Sequence, residues 1–211
     1  MKFDIHIHSK YSNDGALEIN EIIKIAKKVG LDGIAITDHN SMEAYRKIES
    51  KDIEIIKGVE ISSASGHIIA LNINEIIPKG LSVDETIERI HEQGGIAIAV
   101  HPYRFWSGLG EKNIVGKKFD VIEVLNGRCK KLNNQKAMDL AQRLSKPFSA
   151  GSDAHFAGEI GKAYIISDGD PIENILKRDV KVEGSSRDFF GTIKYVTNTI
   201  YHWSKRGFRK I

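Results

Sequence analysis

Histidines and carboxylates gather in four short segments of this chain, each placed where a strand pattern ends. The segments are Asp4-Ile5-His6-Ile7-His8, Thr37-Asp38-His39-Asn40, Gly58-Val59-Glu60-Ile61-Ser62 and Gly151-Ser152-Asp153-Ala154-His155. Two further histidines, His67 and His101, also lie next to apolar runs. Imidazole nitrogens and carboxylate oxygens from several strands are the ligands that a multinuclear metal site needs, and such a site can activate water and stabilise charge on a phosphoryl group.

The spacing inside these segments adds to the indication but leaves alternatives open. His6 and His8 are two residues apart on a strand and therefore point to one face, where both can bind a single metal or simply be a surface or core pair. Asp153 and His155 repeat the spacing, and an Asx-type turn explains them equally well. Glu60 follows an apolar strand, so it needs a cation, a hydrogen-bond network or exposure to water. As a carboxylate it could bridge two metals.

The remaining candidates carry weight only together. We expect His39 to bind metal while its neighbour Asp38 orders the turn or supports a ligand. Taken singly, His67 and His101 would be structural or solvated, and Asp14 would be an ordinary turn residue. Six of the eight histidines nevertheless fall at strand ends or in the turns after them, which chance explains poorly. The other two, His91 and His202, are assigned to a helix and to a basic tail.

Alternating apolar patterns predict the elements that carry these residues. Predicted strands cover residues 3–8, 33–39, 53–61, 67–73, 96–101, 121–125, 148–152, 163–167 and 180–183. Predicted helices cover residues 17–29, 42–50, 83–93, 134–144 and 171–177, with Ser82 and Glu85 forming a capping box and 103–118 a loop. Serial βα units favour a parallel sheet, open or closed into a barrel, in which loops after the strands share one face.

Composition indicates one globular domain. The chain has 211 residues, of which 41% are hydrophobic and 28% charged, as in ordinary single α/β domains. No apolar run approaches the roughly 18 residues of a membrane span, and the N-terminal sequence does not resemble a secretory signal. The single cysteine, Cys129, fits a reducing compartment, so we expect a cytoplasmic protein without a membrane partner.

The charge is unevenly distributed. The net charge of +3 is too small to indicate a nucleic-acid partner. From residue 187 to 211, however, basic residues outnumber acidic ones six to one. The basic end of this tail is either a solvated segment or a site that binds phosphate groups. In the second case the affinity should fall as the salt concentration increases.

In order, the motifs H-x-H, I-T-D-H-N, G-V-E-I-S, A-V-H-P and G-S-D-A-H resemble those of the polymerase-and-histidinol-phosphatase (PHP) superfamily. The resemblance implies an α/β fold, a distorted (β/α)7 TIM-like barrel, with two or three divalent metals that are zinc, manganese or iron. It implies one metal at His6, His8, Glu60 and Asp153, a second at Glu60, His67 and His101, and a third at Asp14, His39 and His155. Aspartate at position 14 favours the small phosphoesterase branch over the histidinol-phosphatase branch.

The resemblance also divides the chain. Residues 1–180 would form the barrel, and residues 181–211 a short C-terminal segment packed on the same domain. We expect its helix, from about 187 to 206, to be basic and aromatic. The helix would align one apolar stripe, which favours core or homodimer contacts over base stacking. The stripe consists of Phe189, Ile193, Val196, Ile200 and Trp203.

The implied function is a metal-dependent phosphoesterase, a hydrolase that attacks a phosphate ester with metal-activated water. Our first substrate is the 5′ end of a short oligonucleotide or a nucleotide (bis)phosphate, which makes the protein a nuclease or a nucleotidase. His39 or His155 would assist the leaving group, and Arg104 or Arg128 would bind a second phosphate or be plain surface charge. The alternatives are a phosphomonoesterase of a small metabolite and, in another class, a non-catalytic RNA-binding subunit of a ribonucleoprotein.

Overall fold

The computed structural model describes residues 1–48, 50 and 52–187, together with positions 197, 200, 201 and 204. Within these residues the strands are β1 (Lys2–Ile7), β2 (Gly33–Ile36), β3 (Glu54–Ser63), β4 (Gly66–Leu71), β5 (Ile96–Ala99), β6 (Val121–Asn126), β7 (Phe148–Gly151), β8 (Ala163–Ile166) and β9 (Lys181–Gly184). The α-helices are α1 (Ile19–Lys28), α2 (Val83–Glu92), α3 (Lys131–Arg143) and α4 (Pro171–Lys177). Three 3-10 turns cover Glu43–Arg46, Glu111–Asn113 and Ala157–Glu159.

The strands form one mixed sheet in the order β7-β6-β5-β4-β3-β2-β1-β8-β9. β1, β2 and β3 are parallel, as are β5, β6 and β7, while β4 runs antiparallel to both of its neighbours. β8 and β9 extend the sheet beyond β1 in antiparallel pairings. The β3–β4 hairpin therefore interrupts an otherwise parallel set, since two strands joined by a short turn cannot be parallel.

The two edges of the seven-stranded set β1–β7 meet just after β7. Asp153 N–H donates to the His6 carbonyl (2.7 Å), and His8 N–H donates to the Ala154 carbonyl (2.8 Å). These bonds place the end of β7 against the end of β1, so the sheet is nearly closed into a barrel. The predicted α/β barrel fold is confirmed.

Amphipathic helices cover the sheet in the way the sequence predicts. In α1, Ile19, Ile22 and Ala26 face the core and are buried. α2 begins with the predicted capping box: Ser82 Oγ accepts from Glu85 N–H (3.2 Å), and Glu85 Oε2 accepts from Ser82 N–H (3.1 Å). Since these bonds satisfy otherwise orphaned groups of the helix end, they fix where α2 starts.

The predicted helix over 42–50 is wrong. Among the described residues of this segment, 42–48 and 50, a 3-10 turn over Glu43–Arg46 is the only helical structure. The Tyr45 hydroxyl lies 2.5 Å from the Ile36 carbonyl and 2.9 Å from the Ile56 carbonyl, and it accepts a bond from Gly58 N–H (2.8 Å). This tyrosine is therefore tied to both β2 and β3, and its hydrogen bonds hold the segment around it against the two strands in place of a regular helix.

Several strands end earlier than predicted, and at β2 and β5 the difference concerns the candidate site. β2 ends at Ile36 and β5 at Ala99, so His39 and His101 lie in the loops that follow. His101 has a positive φ of 31°, a backbone region that residues other than glycine rarely occupy. Such conformations persist where surrounding structure holds them, often at functional sites.

The predicted C-terminal helix over about 187–206 lies largely outside the described residues. Within them, Arg187 N–H donates to the Cys129 carbonyl (2.9 Å). β9 places the first residues of the C-terminal segment 181–211 in the main sheet. The expected dimer contact and the division at residue 180 stay predictions. In the part of the chain that the structure describes, no helix is both long and apolar enough to cross a membrane.

Candidate metal centre

All nine side chains proposed as metal ligands meet at one end of the barrel. They fall into four groups in which the nitrogen and oxygen atoms lie within 4.8 Å of one another. The groups are His8, Asp14, His39 and His155; His6, His8 and Glu60; His6, His101 and Asp153; and His39, Glu60 and His67. Loops and strand ends separated by up to 149 residues of sequence therefore supply one cluster, though His101 groups with His6 and Asp153 rather than with His67.

Glu60 lies at the centre of the cluster, and its two oxygens face different imidazoles. Oε1 lies 2.8 Å from His67 Nδ1 and 2.9 Å from His101 Nε2. Oε2 lies 3.1 Å from His6 Nε2 and 3.0 Å from His8 Nε2. The Glu60 side chain is almost completely buried, and this is the arrangement that a carboxylate bridging two metals requires.

His6 in β1 and His8 directly after β1 are each oriented by a polar partner at Nδ1. His6 Nδ1 lies 2.8 Å from Glu123 Oε1, and His8 Nδ1 lies 3.3 Å from Ser12 Oγ. With Nδ1 held in this way, the Nε2 atom of each ring points to the centre. Metal-binding histidines commonly have such a partner at the second ring nitrogen, because it fixes the tautomer and the ring plane.

Asp14 closes the cluster on its more open side. Its Oδ2 lies 2.9 Å from His155 Nε2 and 3.6 Å from His39 Nε2, and its Oδ1 accepts a bond from Ser12 Oγ (2.8 Å). The Asp14 side chain is 18% exposed, compared with 1% for Glu60 and for Asp153. A substrate can therefore approach this group more easily than the buried centre.

Several buried atoms of the cluster lack a hydrogen-bond partner among the described residues. Such atoms are available to bind a metal ion, so they show whether the site fits one. These atoms are His8 Nε2, His39 Nδ1, His101 Nδ1 and Asp153 Oδ1. Leaving a buried polar atom unsatisfied costs about 1–3 kcal/mol. His8 Nε2 and Asp153 Oδ1 face each other at 3.5 Å, and a cation between such atoms would satisfy both. The donor set and its unsatisfied atoms thus fit divalent metal ions.

The pKa shifts agree with a metal-binding set of charges. Burial lowers the pKa of His39 to about 3 and that of His101 to about 4, so both rings are neutral. Burial opposes ionisation of Glu60 and Asp153, but nearby imidazoles, and Arg104 beside Asp153, hold both pKa values well below the usual range. Neutral imidazoles and ionised carboxylates are the forms that ligate metals.

His6 has the opposite shift. Burial disfavours its charged form, but the carboxylates of Asp153, Glu123 and Glu60 outweigh that effect and raise its pKa well above the usual value. The negative charge around His6 is therefore larger than the local positive charge. A bound divalent cation would compensate this excess and would displace the proton from Nε2.

The two predicted arginines lie inside this cluster rather than on the open surface. Arg104 Nη2 contacts Asp153 Oδ2 and donates to Asn126 Oδ1 (3.0 Å). Arg128 Nη1 lies 2.6 Å from His155 Nδ1, and its side chain is 9% exposed. Both come from loops that follow parallel strands, β5 and β6. Their role in binding phosphate stays a prediction.

Sequence reasoning missed two residues that organise the site. Glu123 accepts from His101 N–H (2.8 Å) in addition to its contact with His6. Asn126 Nδ2 donates both to Glu123 Oε2 (3.0 Å) and to Asp153 Oδ2 (3.1 Å). Glu123 is the one charged residue within the apolar strand β6, and that was the available signal.

Relatives with similar sequences support the assignment of the fold. An uncharacterised protein of Methanocaldococcus jannaschii, MJ1587, is 45% identical over 141 residues, which are 60% of this chain and 82% of that protein. The 5'-3' exoribonuclease of Haemophilus influenzae is 31% identical over 105 residues, 46% of this chain and 38% of that enzyme.

A solved structure and a family comparison agree with these relatives. The lesion-specific endonuclease PfuEndoQ from Pyrococcus furiosus superposes with a TM-score of 0.67 at 17% identity, over 86% of this chain and 57% of that one. At this identity the likeness shows the fold. The PHP domain family matches residues 4–178, most of the chain. This protein therefore belongs to the PHP domain family.

Proposed function

We propose that this protein hydrolyses a phosphate ester at the 5′ end of a short oligonucleotide or on a nucleotide (bis)phosphate. The proposal rests on one observation: two arginine side chains contact members of the buried cluster directly. Arg104 contacts Asp153, and Arg128 contacts His155, within one cluster of histidines and carboxylates. Guanidinium groups bind phosphate oxygens in a fork geometry that suits a phosphorylated end.

The roles of the residues follow from their positions. Two or three divalent metals would be held by side chains from the set His6, His8, Asp14, His39, Glu60, His67, His101, Asp153 and His155. Such metals activate water and offset charge on phosphoryl oxygens. Arg104 and Arg128 would orient the phosphate beside Asp153 and limit its freedom, which lowers the barrier by positioning.

Proton transfer to the leaving group is assigned to the open side of the cluster. His39 and His155 flank Asp14 there, at 3.6 Å and 2.9 Å. A ring that binds metal through Nε2 has no free proton at that atom. We therefore expect only the histidine left unligated in the working state to assist the leaving group, while the other holds metal.

Nucleic acid is favoured as the substrate class by the relatives and by charge. The Haemophilus influenzae relative is named for exoribonuclease activity and PfuEndoQ for endonuclease activity. The excess of basic residues after position 186 would add phosphate contacts. Metal identity is open among zinc, manganese and iron, since histidine with carboxylate suits all three.

To test the proposal, manganese-loaded protein is incubated with a short 5′-phosphorylated RNA, and the products are identified by mass spectrometry. Stepwise appearance of mononucleotides supports the proposal as a 5′-to-3′ exonuclease. Release of inorganic phosphate from an intact chain supports the phosphomonoesterase alternative instead. Retention of RNA without metal and without turnover supports the RNA-binding alternative and contradicts hydrolysis.

Two substitutions tie turnover to the cluster. We expect His8→Ala and Asp153→Ala each to reduce metal-dependent turnover by at least about a hundredfold, because each removes a buried ligand. His91→Ala is the matched control, because His91 pairs with Asp120 outside the cluster. Circular dichroism should show the fold retained in all three. Full activity in His8→Ala or Asp153→Ala would contradict the assignment.

A further inference from the structure

Two large aromatic side chains stand in solvent on the loop after β5. Phe105 is 85% exposed and Trp106 is 83% exposed. Their ring centroids lie 4.8 Å apart with the planes at 87°, an edge-to-face pair. Scattered exposed apolar residues are ordinary, whereas contiguous exposed apolar surface marks sites where proteins bind ligands or partners.

The pair lies between two residues that are anchored to the metal centre. On one side, Arg104 contacts Asp153. On the other, the Ser107 carbonyl accepts a bond from the backbone N–H of His67 (3.0 Å). Since neighbouring Cα atoms are about 3.8 Å apart, each aromatic residue lies one step along the chain from a residue bound to the cluster. The loop that carries both rings therefore runs beside the metal centre.

The loop that presents the rings is fixed by its own hydrogen bonds. Arg104 N–H donates to the His101 carbonyl (2.9 Å), and Gly108 N–H donates to the Arg104 carbonyl (3.0 Å). Gly110 N–H donates to the Pro102 carbonyl (2.9 Å). A Cβ at Gly108 would lie 2.5 Å from that same Pro102 oxygen, so the turn requires glycine. A fixed loop loses little freedom when a ligand binds.

We propose that Phe105 and Trp106 bind the nucleobase next to the phosphate held in the metal centre. This inference rests on the proposed function and specifies its substrate as one that carries a base. Every nucleobase has a π-face, so stacking on such rings is strong yet tolerant of sequence. Arg104, directly before the pair, supplies the positive charge that the adjoining phosphate needs.

A second copy of this chain is the main competing occupant, and the size of the pair argues against it. Two aromatic side chains bury about 150–250 Å² each, whereas a stable interface buries about 800 Å² per partner. Glycine and serine residues follow the pair at positions 107, 108 and 110 and add little apolar area. A single planar base matches the available surface better.

The activity test compares two 5′-phosphorylated RNA tetramers that differ only in the first residue, which carries adenine in one and is abasic in the other. We expect Trp106→Ala and Phe105→Ala each to lower the preference for the adenine tetramer, measured as a ratio of kcat/KM values, by about tenfold. Trp106→Phe should keep most of it. Ile76→Ala, which alters a 49% exposed side chain between β4 and α2, is the matched control. An unchanged preference in the Phe105→Ala/Trp106→Ala double variant overturns the inference.

A binding test keeps this inference separate from the proposed function. The sequence has two tryptophans, Trp106 and Trp203, so in a Trp203→Phe background the fluorescence reports Trp106. Quenching by adenosine 5′-monophosphate but not by ribose 5-phosphate supports base binding even if neither tetramer is hydrolysed. Equal responses to both compounds overturn it, as does concentration-dependent self-association that Trp106→Ala abolishes.

Discussion

At the scale of single residues, the carboxylate of Glu123 contacts two predicted ligands, His6 in β1 and His101 in the loop after β5. One oxygen lies 2.8 Å from His6 Nδ1, and the other accepts from the backbone N–H of His101 at 2.8 Å. Such partners set the direction and basicity of the ring nitrogen that faces the metal. Affinity at this centre should therefore depend on a residue that touches no metal.

We predict that Glu123→Gln weakens metal binding about 10–100-fold, the usual effect of losing such a partner. The amide cannot accept through both of its terminal atoms, so one of the two contacts is lost. Manganese or zinc titration against a chelating dye measures the effect. Glu92→Gln, on the exposed side of α2, is the matched control. Equal affinity in the two variants would contradict this role for Glu123.

The ligands were predictable because residue type and spacing coincide. His6 and His8 have the two-residue spacing of one strand face, and Glu60 and Asp153 come after apolar residues of β3 and β7, so each motif signals a position at the same end of a barrel. Glu123 has no such spacing, and its role depends on which side chains β1 and β5 bring against β6. Those neighbours come from tertiary packing, which short sequence patterns do not contain.

At the scale of elements, the close approach of β7 to β1 places the last ligands beside the first. A Cβ added to Gly151 would lie 2.3 Å from His6 Cβ and 2.9 Å from His6 N. Any side chain there would push β1 away from β7. Glycine at position 151 thus permits the junction on which the position of His6 depends.

We predict that Gly151→Ala destabilises the fold by about 1–3 kcal/mol, the range for overpacking, and also lowers the amount of metal bound. Urea denaturation and metal analysis of the same samples measure the two effects. Gly158→Ala is the matched control, since a Cβ there would meet nothing within 4 Å. Wild-type stability and metal content in Gly151→Ala would show that β1 tolerates the displacement.

Most of the elements could be predicted because their local signals agree with the packing. The capping box of α2 and the apolar face of α1 are local features, and both formed as expected. The helix predicted over 42–50 was wrong because the Tyr45 hydroxyl binds carbonyls of β2 and β3 and holds the segment against the sheet. Contacts between elements override local propensity there.

At the scale of the whole molecule, the cluster joins distant parts of the chain, because its side chains run from His6 to His155. The unfolded chain cannot hold these groups together, so metal binds the native state selectively. Ligands with that preference stabilise the fold by about 2.7 kcal/mol at a hundredfold excess over Kd. The metal is therefore expected to be a structural as well as a chemical component.

We predict that chelation lowers the thermal midpoint of the metal-loaded protein, and that added manganese restores it. Differential scanning calorimetry with and without chelator measures the change. Asp153→Ala provides the comparison, because its midpoint should respond less when a central ligand is missing. Identical midpoints for the wild-type protein with and without metal would mean that binding and folding are uncoupled.

The closure of the barrel between β1 and β7 also sets an order of events during synthesis. Domains fold as the chain emerges from its N-terminal end, and His6 and His8 are made first. Asp153 and His155 reach them only after about three quarters of the chain exists. A ribosome-bound fragment that ends before Asp153 would thus contain only part of the ligand set and would bind metal weakly. Tight metal binding would begin only when β7 has closed against β1.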